Sequence, residues 1–140
     1  MREDFKRCVP KYDAISISED LLQTIFEGAK NLHPRETILL LRGTKKKDLI
    51  AVTELVVPPL ANYGRGFANI RLHMLPMDFS IVGTAHSHPS GNLTPSHTDL
   101  NHFFGIVLMI VGFPFENEKN VAVYNRTGER LALQVIRPLS

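Results

Sequence analysis

The run "HSHPSGNLTPSHTD", residues 86–99, gathers side chains that bind metals, move protons or attack carbonyls. Three readings are open from residue types alone: a metal site, a hydroxyl-nucleophile site, or a polar loop rich in His and Ser. The elements that carry the run decide how its side chains are aimed. "IVGTAHSH" at 81–88 has the apolar and branched residues of a strand, and Pro89-Ser90-Gly91-Asn92 ends it. Alternate strand residues share a face, so His86 and His88 project together and Ser87 points away. "TPSHTDLNHFFG" at 94–105 reads as a short helix, with Thr94 as N-cap, Pro95 at the first helical position and Gly105 past the end. Ser96 and Asp99 are three apart on that helix and share a face, with a carboxylate in the turn that the helix dipole favours.

Two His and one Asp form a credible catalytic zinc set, which leaves a fourth position for water; the lone Cys8 cannot close a structural site. Such a metal makes water a nucleophile near neutral pH. A general base is still required, and Glu36 in "HPRETILLLRG" is the best candidate. It stands at the entrance of a strongly apolar strand, where an ionisable group needs a reason. His97 is out of phase with Ser96 and Asp99 and is expected at the surface, as are His33 and His73. His102 could donate a hydrogen bond to Asp99. Ser87 and Ser90 are expected to serve the backbone of the turn. Cys8 has no neighbouring acid or His spaced to activate it.

The remaining elements must position these groups. "YDAISIS" at 12–18 alternates as a short strand. Ser18 caps a helix in which Leu21, Leu22, Ile25, Phe26, Ala29 and Leu32 recur at helical spacing, and Pro34 ends it. "TILLLRG" at 37–43 and "LIAVTELVV" at 49–57 are strands joined by a lysine-rich turn. Residues 60–80 are the least regular, with Tyr63-Gly64-Arg65-Gly66 as a mobile loop and "ANIRLHML" as an edge strand. Strands at 106–113, 121–125 and 130–137 complete an α+β domain whose sheet is mixed and mostly antiparallel, flanked by helices.

The chain has 140 residues, 44% hydrophobic and 21% charged, which suits one domain spanning 1–140. A net charge of +2 and a single dense basic run, "TKKKD", leave no footprint for nucleic acid. The longest apolar run, "GIVLMIVGF", is strand-sized and does not span a bilayer. The charged opening "MREDFKRCVPKYD" has no signal-peptide core, and one cysteine makes no internal disulfide, so the cytoplasm is the expected location.

The pattern His86-x-His88-x7-Ser96-x2-Asp99, with a glutamate upstream, resembles the signature of the JAMM (MPN+) metalloproteases. The resemblance runs from about residue 18 to 125. It implies a cytidine-deaminase-like fold, one catalytic zinc ion on His86, His88 and Asp99, Glu36 as general base, and Ser96 as hydrogen-bond donor to the oxyanion. It also implies hydrolysis of isopeptide or peptide bonds after the C-terminal Gly-Gly of ubiquitin or a ubiquitin-like protein. The chain lacks long insertions and looks like a compact archaeal or bacterial member. An extended tail needs a strand edge to pair with, for which "ANIRLHML" is the candidate and Tyr63 to Phe67 the flap. Two alternatives use the same residues: a hydrolase that releases an amino acid from a ubiquitin-like sulfur carrier, and a non-catalytic MPN-type scaffold. A zinc deaminase would need His-x-Glu and Pro-Cys-x-x-Cys, and a serine hydrolase a Gly-x-Ser-x-Gly elbow; neither is present.

Overall fold

The computed structural model describes residues 11–58, 80–101 and 103–139. The expected edge strand "ANIRLHML" and flap Tyr63–Phe67, together with Cys8, His73 and His102, lie outside the described residues. The elements in order are β1 (Ala14–Ser18), α1 (Glu19–Leu32), β2 (Ile38–Lys45), β3 (Leu49–Val56), β4 (Ile81–His88), α2 (His97–Asn101), β5 (Val107–Gly112), β6 (Val121–Asn125) and β7 (Arg130–Ile136).

The strands pair in the order β1-β3-β2-β4-β5-β6-β7 and close into a barrel through a parallel β1–β7 ladder. The sheet is mixed as expected: β2–β3, β2–β4, β5–β6 and β6–β7 are antiparallel, while β1–β3 and β4–β5 are parallel like the closing pair. Closure is not foreseen by the sequence pattern, because it depends on Ala14 meeting Ala132 across nearly the whole chain.

Helix α1 forms where its periodicity places it. Ser18 Oγ accepts the Leu21 N–H at 3.1 Å, Glu19 and Asp20 occupy the first turn, and His33 closes the end by donating its N–H to Ala29 and Lys30. Leu22, Ile25, Phe26 and Ala29 form its buried stripe. That stripe joins Ile15, Ile17, Leu41, Ile50, Met109 and Val111 in the main core. A second, smaller cluster holds Phe103, Leu108, Ile110, Ala122 and Tyr124, with Leu93 and Leu100 against it.

Helix α2 differs from its expected span. It covers His97–Asn101 only, and Ser96, not Thr94, is its cap. Ser96 and Asp99 exchange reciprocal bonds: the Asp99 N–H donates to Ser96 Oγ at 3.0 Å and the Ser96 N–H to Asp99 Oδ2 at 2.8 Å. This capping box satisfies two orphan donors at once. The Thr94 N–H is spent upstream, on Asn92 Oδ1. Downstream the helix stops because Phe104 is tied to β4, its N–H and carbonyl both bonded to Thr84 Oγ1 at 2.9 Å. Gly105 then takes φ +85° beside Val82 rather than ending a helix.

Phe26 is fully buried where α1 meets the barrel. Phe26→Ala is expected to lower stability by about 3–5 kcal/mol, read by chemical denaturation. A loss under about 1 kcal/mol would mean that the helix does not anchor the core.

Candidate metal centre

β4 lies between β2 and β5, and both ladders fix which way its residues face. Parallel pairing sets Ser87 beside Val111 and His86 beside Ile110. Val111 belongs to the main core and Ile110 to the smaller cluster. Ser87 therefore points to the main core, while His86 and His88 lie on the other face, the one that α2 and Leu93 cover. Their rings are 5.0 Å apart. Asp99 arrives from α2, so His86 Nε2 is 3.5 Å from its Oδ1 and His88 Nε2 is 3.3 Å from its Oδ2. One ligand atom from each of the three residues lies within 4.8 Å of the others, a grouping that could hold a metal ion.

The loop 89–95 keeps this arrangement closed. The His88 carbonyl accepts N–H bonds from Gly91 and Phe113. Gly91 turns at φ +86°, and a Cβ there would meet the Phe113 carbonyl oxygen at 3.0 Å. Tyr124 donates its hydroxyl to the Leu93 carbonyl at 2.8 Å. His88 Nδ1 lies 2.6 Å from the Asn92 carbonyl oxygen, to which it donates, so that Nε2 is turned to Asp99. A backbone carbonyl on the far ring nitrogen is the usual way to fix a ligand's tautomer.

The two imidazoles are electrostatically unlike. His86 is 1% exposed. Burial pushes it down to about 4, with Asp99 pulling upward and His88 pushing further down. It is neutral near pH 7, so its contact with Asp99 is no ion pair there. His88 is raised: its bond to Asp99 outweighs burial, with help from the Asn92 carbonyl and the charges of Asp99 and Glu36. Asp99 is held at about 2; burial opposes this, but bonds from His88 and the Ser96 N–H and the charge of both imidazoles prevail.

Glu36 enters through β2. Ile38 pairs with His86, and the Ser87 N–H donates to the Thr37 carbonyl at 3.2 Å. Two residues beyond Ile38 on the same face, this register sets Glu36 opposite His88, where its charge acts on that ring. Glu36 is half-buried. Ser96 is exposed, and its oxygen accepts the Asp99 N–H. His97 and His33 are at the surface as expected, His33 stacked on Phe113 at 4.8 Å. Ser90 serves the turn, accepting the Asn92 N–H. Ser87 does not: its hydroxyl accepts the Thr37 N–H at 2.9 Å, fifty residues away in sequence. Sequence phase shows only that Ser87 faces away from the histidines.

The sequence profile described as prokaryotic homologs of the JAB domain matches residues 18–130. The chain belongs to that family and has the JAMM/MPN fold. A probable metalloprotease of Haloferax volcanii is 33% identical over 131 residues, covering 89% of this chain and 81% of that protein. A solved JAB1/MPN domain protein from Archaeoglobus fulgidus is 39% identical, with a TM-score of 0.64 over 86% of this chain and 98% of that one. A further structure, described as a JAMM metalloprotease-like zinc site in the proteasome and signalosome, is 37% identical with a TM-score of 0.63, covering 88% and 98% of the two chains.

In metal-free protein the buried histidine makes stability depend on pH. Between its ordinary value of 6.5 and about 4, the unfolded chain takes up a proton that folded His86 refuses. That part of the stability is present above 6.5 and is lost as pH falls through the window. His88, raised, has the opposite sign, and the contribution of Asp99 is present above its ordinary 3.8 and is lost only as pH falls below that value. In chelator-treated protein His86→Gln is expected to flatten the decline between pH 6.5 and 4. Equal slopes for both proteins would contradict the burial argument.

Proposed function

We propose that the chain is a zinc-dependent metalloprotease that hydrolyses peptide or isopeptide bonds after the C-terminal Gly-Gly of a ubiquitin-like protein. The observation that carries the metal centre is the convergence of His86, His88 and Asp99 at the end of β4, with ligand atoms within 4.8 Å. Two imidazole nitrogens and one carboxylate oxygen are a donor set that suits zinc and leaves a position open. Two of the three donors are in the required states: burial keeps His86 neutral and Asp99 is ionised at neutral pH. The family and the named relatives support the protease reading. The Gly-Gly substrate rests on the resemblance of the motif.

His86, His88 and Asp99 would hold the ion, which supplies Lewis acidity and makes water nucleophilic near neutral pH. Glu36, opposite His88, takes a proton from the attacking water and delivers it to the leaving amine as the carbon–nitrogen bond breaks. Ser96, with its oxygen fixed by the Asp99 N–H, donates its hydroxyl proton in a hydrogen bond to the developing oxyanion. Attack by water, not by Ser96, makes the mechanism hydrolytic without a covalent intermediate.

The test combines elemental analysis with cleavage of a ubiquitin-like fusion carrying a Gly-Gly junction. Wild type and Glu36→Ala are expected to hold zinc and His88→Ala to lose it. Cleavage is expected to fall by about 10²–10⁴-fold in Glu36→Ala, the range for removing a general base. Retained cleavage in Glu36→Ala would remove the proposed base. Stoichiometric zinc with no cleavage of any fusion would favour an interaction scaffold.

A further inference from the structure

Ser87 sits between His86 and His88 in sequence, yet its side chain is on the opposite face and fully buried. Its hydroxyl oxygen accepts the Thr37 N–H at 2.9 Å, and its own N–H donates to the Thr37 carbonyl at 3.2 Å. Regular pairing of β2 with β4 begins one residue later, at Ile38 and His86. A side chain thus extends the ladder past the point where strand β2 begins.

The bond acts on a particular rigid unit. The Thr37 nitrogen belongs to the peptide group that joins Glu36 to Thr37, and that planar group includes the Glu36 Cα. Holding its N–H fixes the plane from which the Glu36 side chain departs. Thr37 is itself buried, so water cannot replace a lost partner without entering the core. The same residue that holds this plane has both histidines as its covalent neighbours. Two hydrogen bonds between Ser87 and Thr37 therefore join the backbone of the acid to the strand of the metal ligands, and one of them is made by the Ser87 side chain.

We propose that Ser87 is a positioning residue for Glu36, setting the carboxylate against the metal centre by anchoring the Glu36–Thr37 peptide group. The inference rests on the reading of Glu36 as general base. A misplacement of about 1 Å in a reacting group costs on the order of 10²-fold in rate. Ser87→Ala removes the acceptor and leaves every ligand in place. Ser87→Thr keeps the hydroxyl and suits a strand, so it separates the bond from the simple identity of the residue.

Four measurements on the full chain test this. In zinc-loaded protein, amide exchange at Thr37 is expected to quicken at least about tenfold in Ser87→Ala and to be restored in Ser87→Thr, with His86 and Met109 amides unchanged. Zinc affinity by chelator competition is expected to stay within about twofold. In crystals of zinc-loaded Ser87→Ala, Glu36 is expected to shift by about 1 Å relative to wild type while His86 and His88 stay put. On a Gly-Gly fusion substrate, kcat is expected to fall about tenfold or more with KM nearly constant, and Ser87→Ala is expected to add nothing in a Glu36→Ala background. An unmoved Glu36, an unchanged Thr37 amide, or a zinc affinity that falls in step with kcat would overturn the proposal. Full cleavage by Glu36→Ala alone, with Glu36 still displaced in Ser87→Ala, would sink the base assignment and leave the anchoring intact.

Discussion

β4 is held on one edge by an antiparallel ladder to β2 and on the other by a parallel ladder to β5. The register of these two ladders decides how the histidines and Glu36 meet at the candidate centre. It puts His86 and His88 on the face with Ile110, and it brings the chain at Glu36 alongside His88. A slip of one residue would send both imidazoles into the main core and Ser87 out of it. Both faces of β4 are buried, so such a slip would place polar groups among Met109 and Val111. The hydrophobic pattern of the barrel thereby specifies the geometry of a polar site it does not itself contain.

Burial sets the division of labour among the three converging groups. His86, the more buried ring, is neutral by desolvation, whereas the less buried His88 keeps a preference for the proton through Asp99. In the absence of an ion, His88 leans more than His86 toward the proton that would balance the Asp99 charge. A cation entering the centre would take over that balance, gaining two imidazole lone pairs and a carboxylate already held in low-dielectric surroundings. Burial already keeps His86 free of a proton, so protons compete with a cation more strongly at His88 than at His86.

Much of this was legible from local pattern. Alternation identified β1, apolar and branched runs bounded by turn residues identified β2 to β7, helical spacing and Ser18 identified α1, and the strand phase of His86 and His88 placed both on one face. Helix α2 was read too long because Thr94-Pro95 makes a good local start. Asn92 takes the Thr94 N–H in a local turn and Thr84 takes Phe104 across the fold, so a local bond trims the start and a tertiary one the end. Barrel closure was invisible because a strand's sequence does not name its partner. Ser87 was misjudged for a related reason. Phase tells which face a side chain occupies and not what it meets there; the Thr37 N–H becomes its partner only when β2 lies against β4.

The placement of Asp99 carries a further consequence. Two of the three converging groups stand on a strand in the barrel core, but the third stands on a helix of five residues. A helix so short has almost no stability of its own. What holds it is a set of straps: the capping box, Thr84 on Phe104, Tyr124 on Leu93, and Arg126 donating to Phe103 and Gly105 with its guanidinium over the Phe103 ring. Each strap starts from a strand, from the turn that follows β6, or from the helix cap, so α2 is as well ordered as its connections to β4 and β6 and no better. On the zinc reading, an ion shared by Asp99 and β4 becomes one more strap between the same two elements. Part of its binding energy then goes into ordering α2, and affinity at the centre depends on residues such as Thr84 and Tyr124 that never approach the ion.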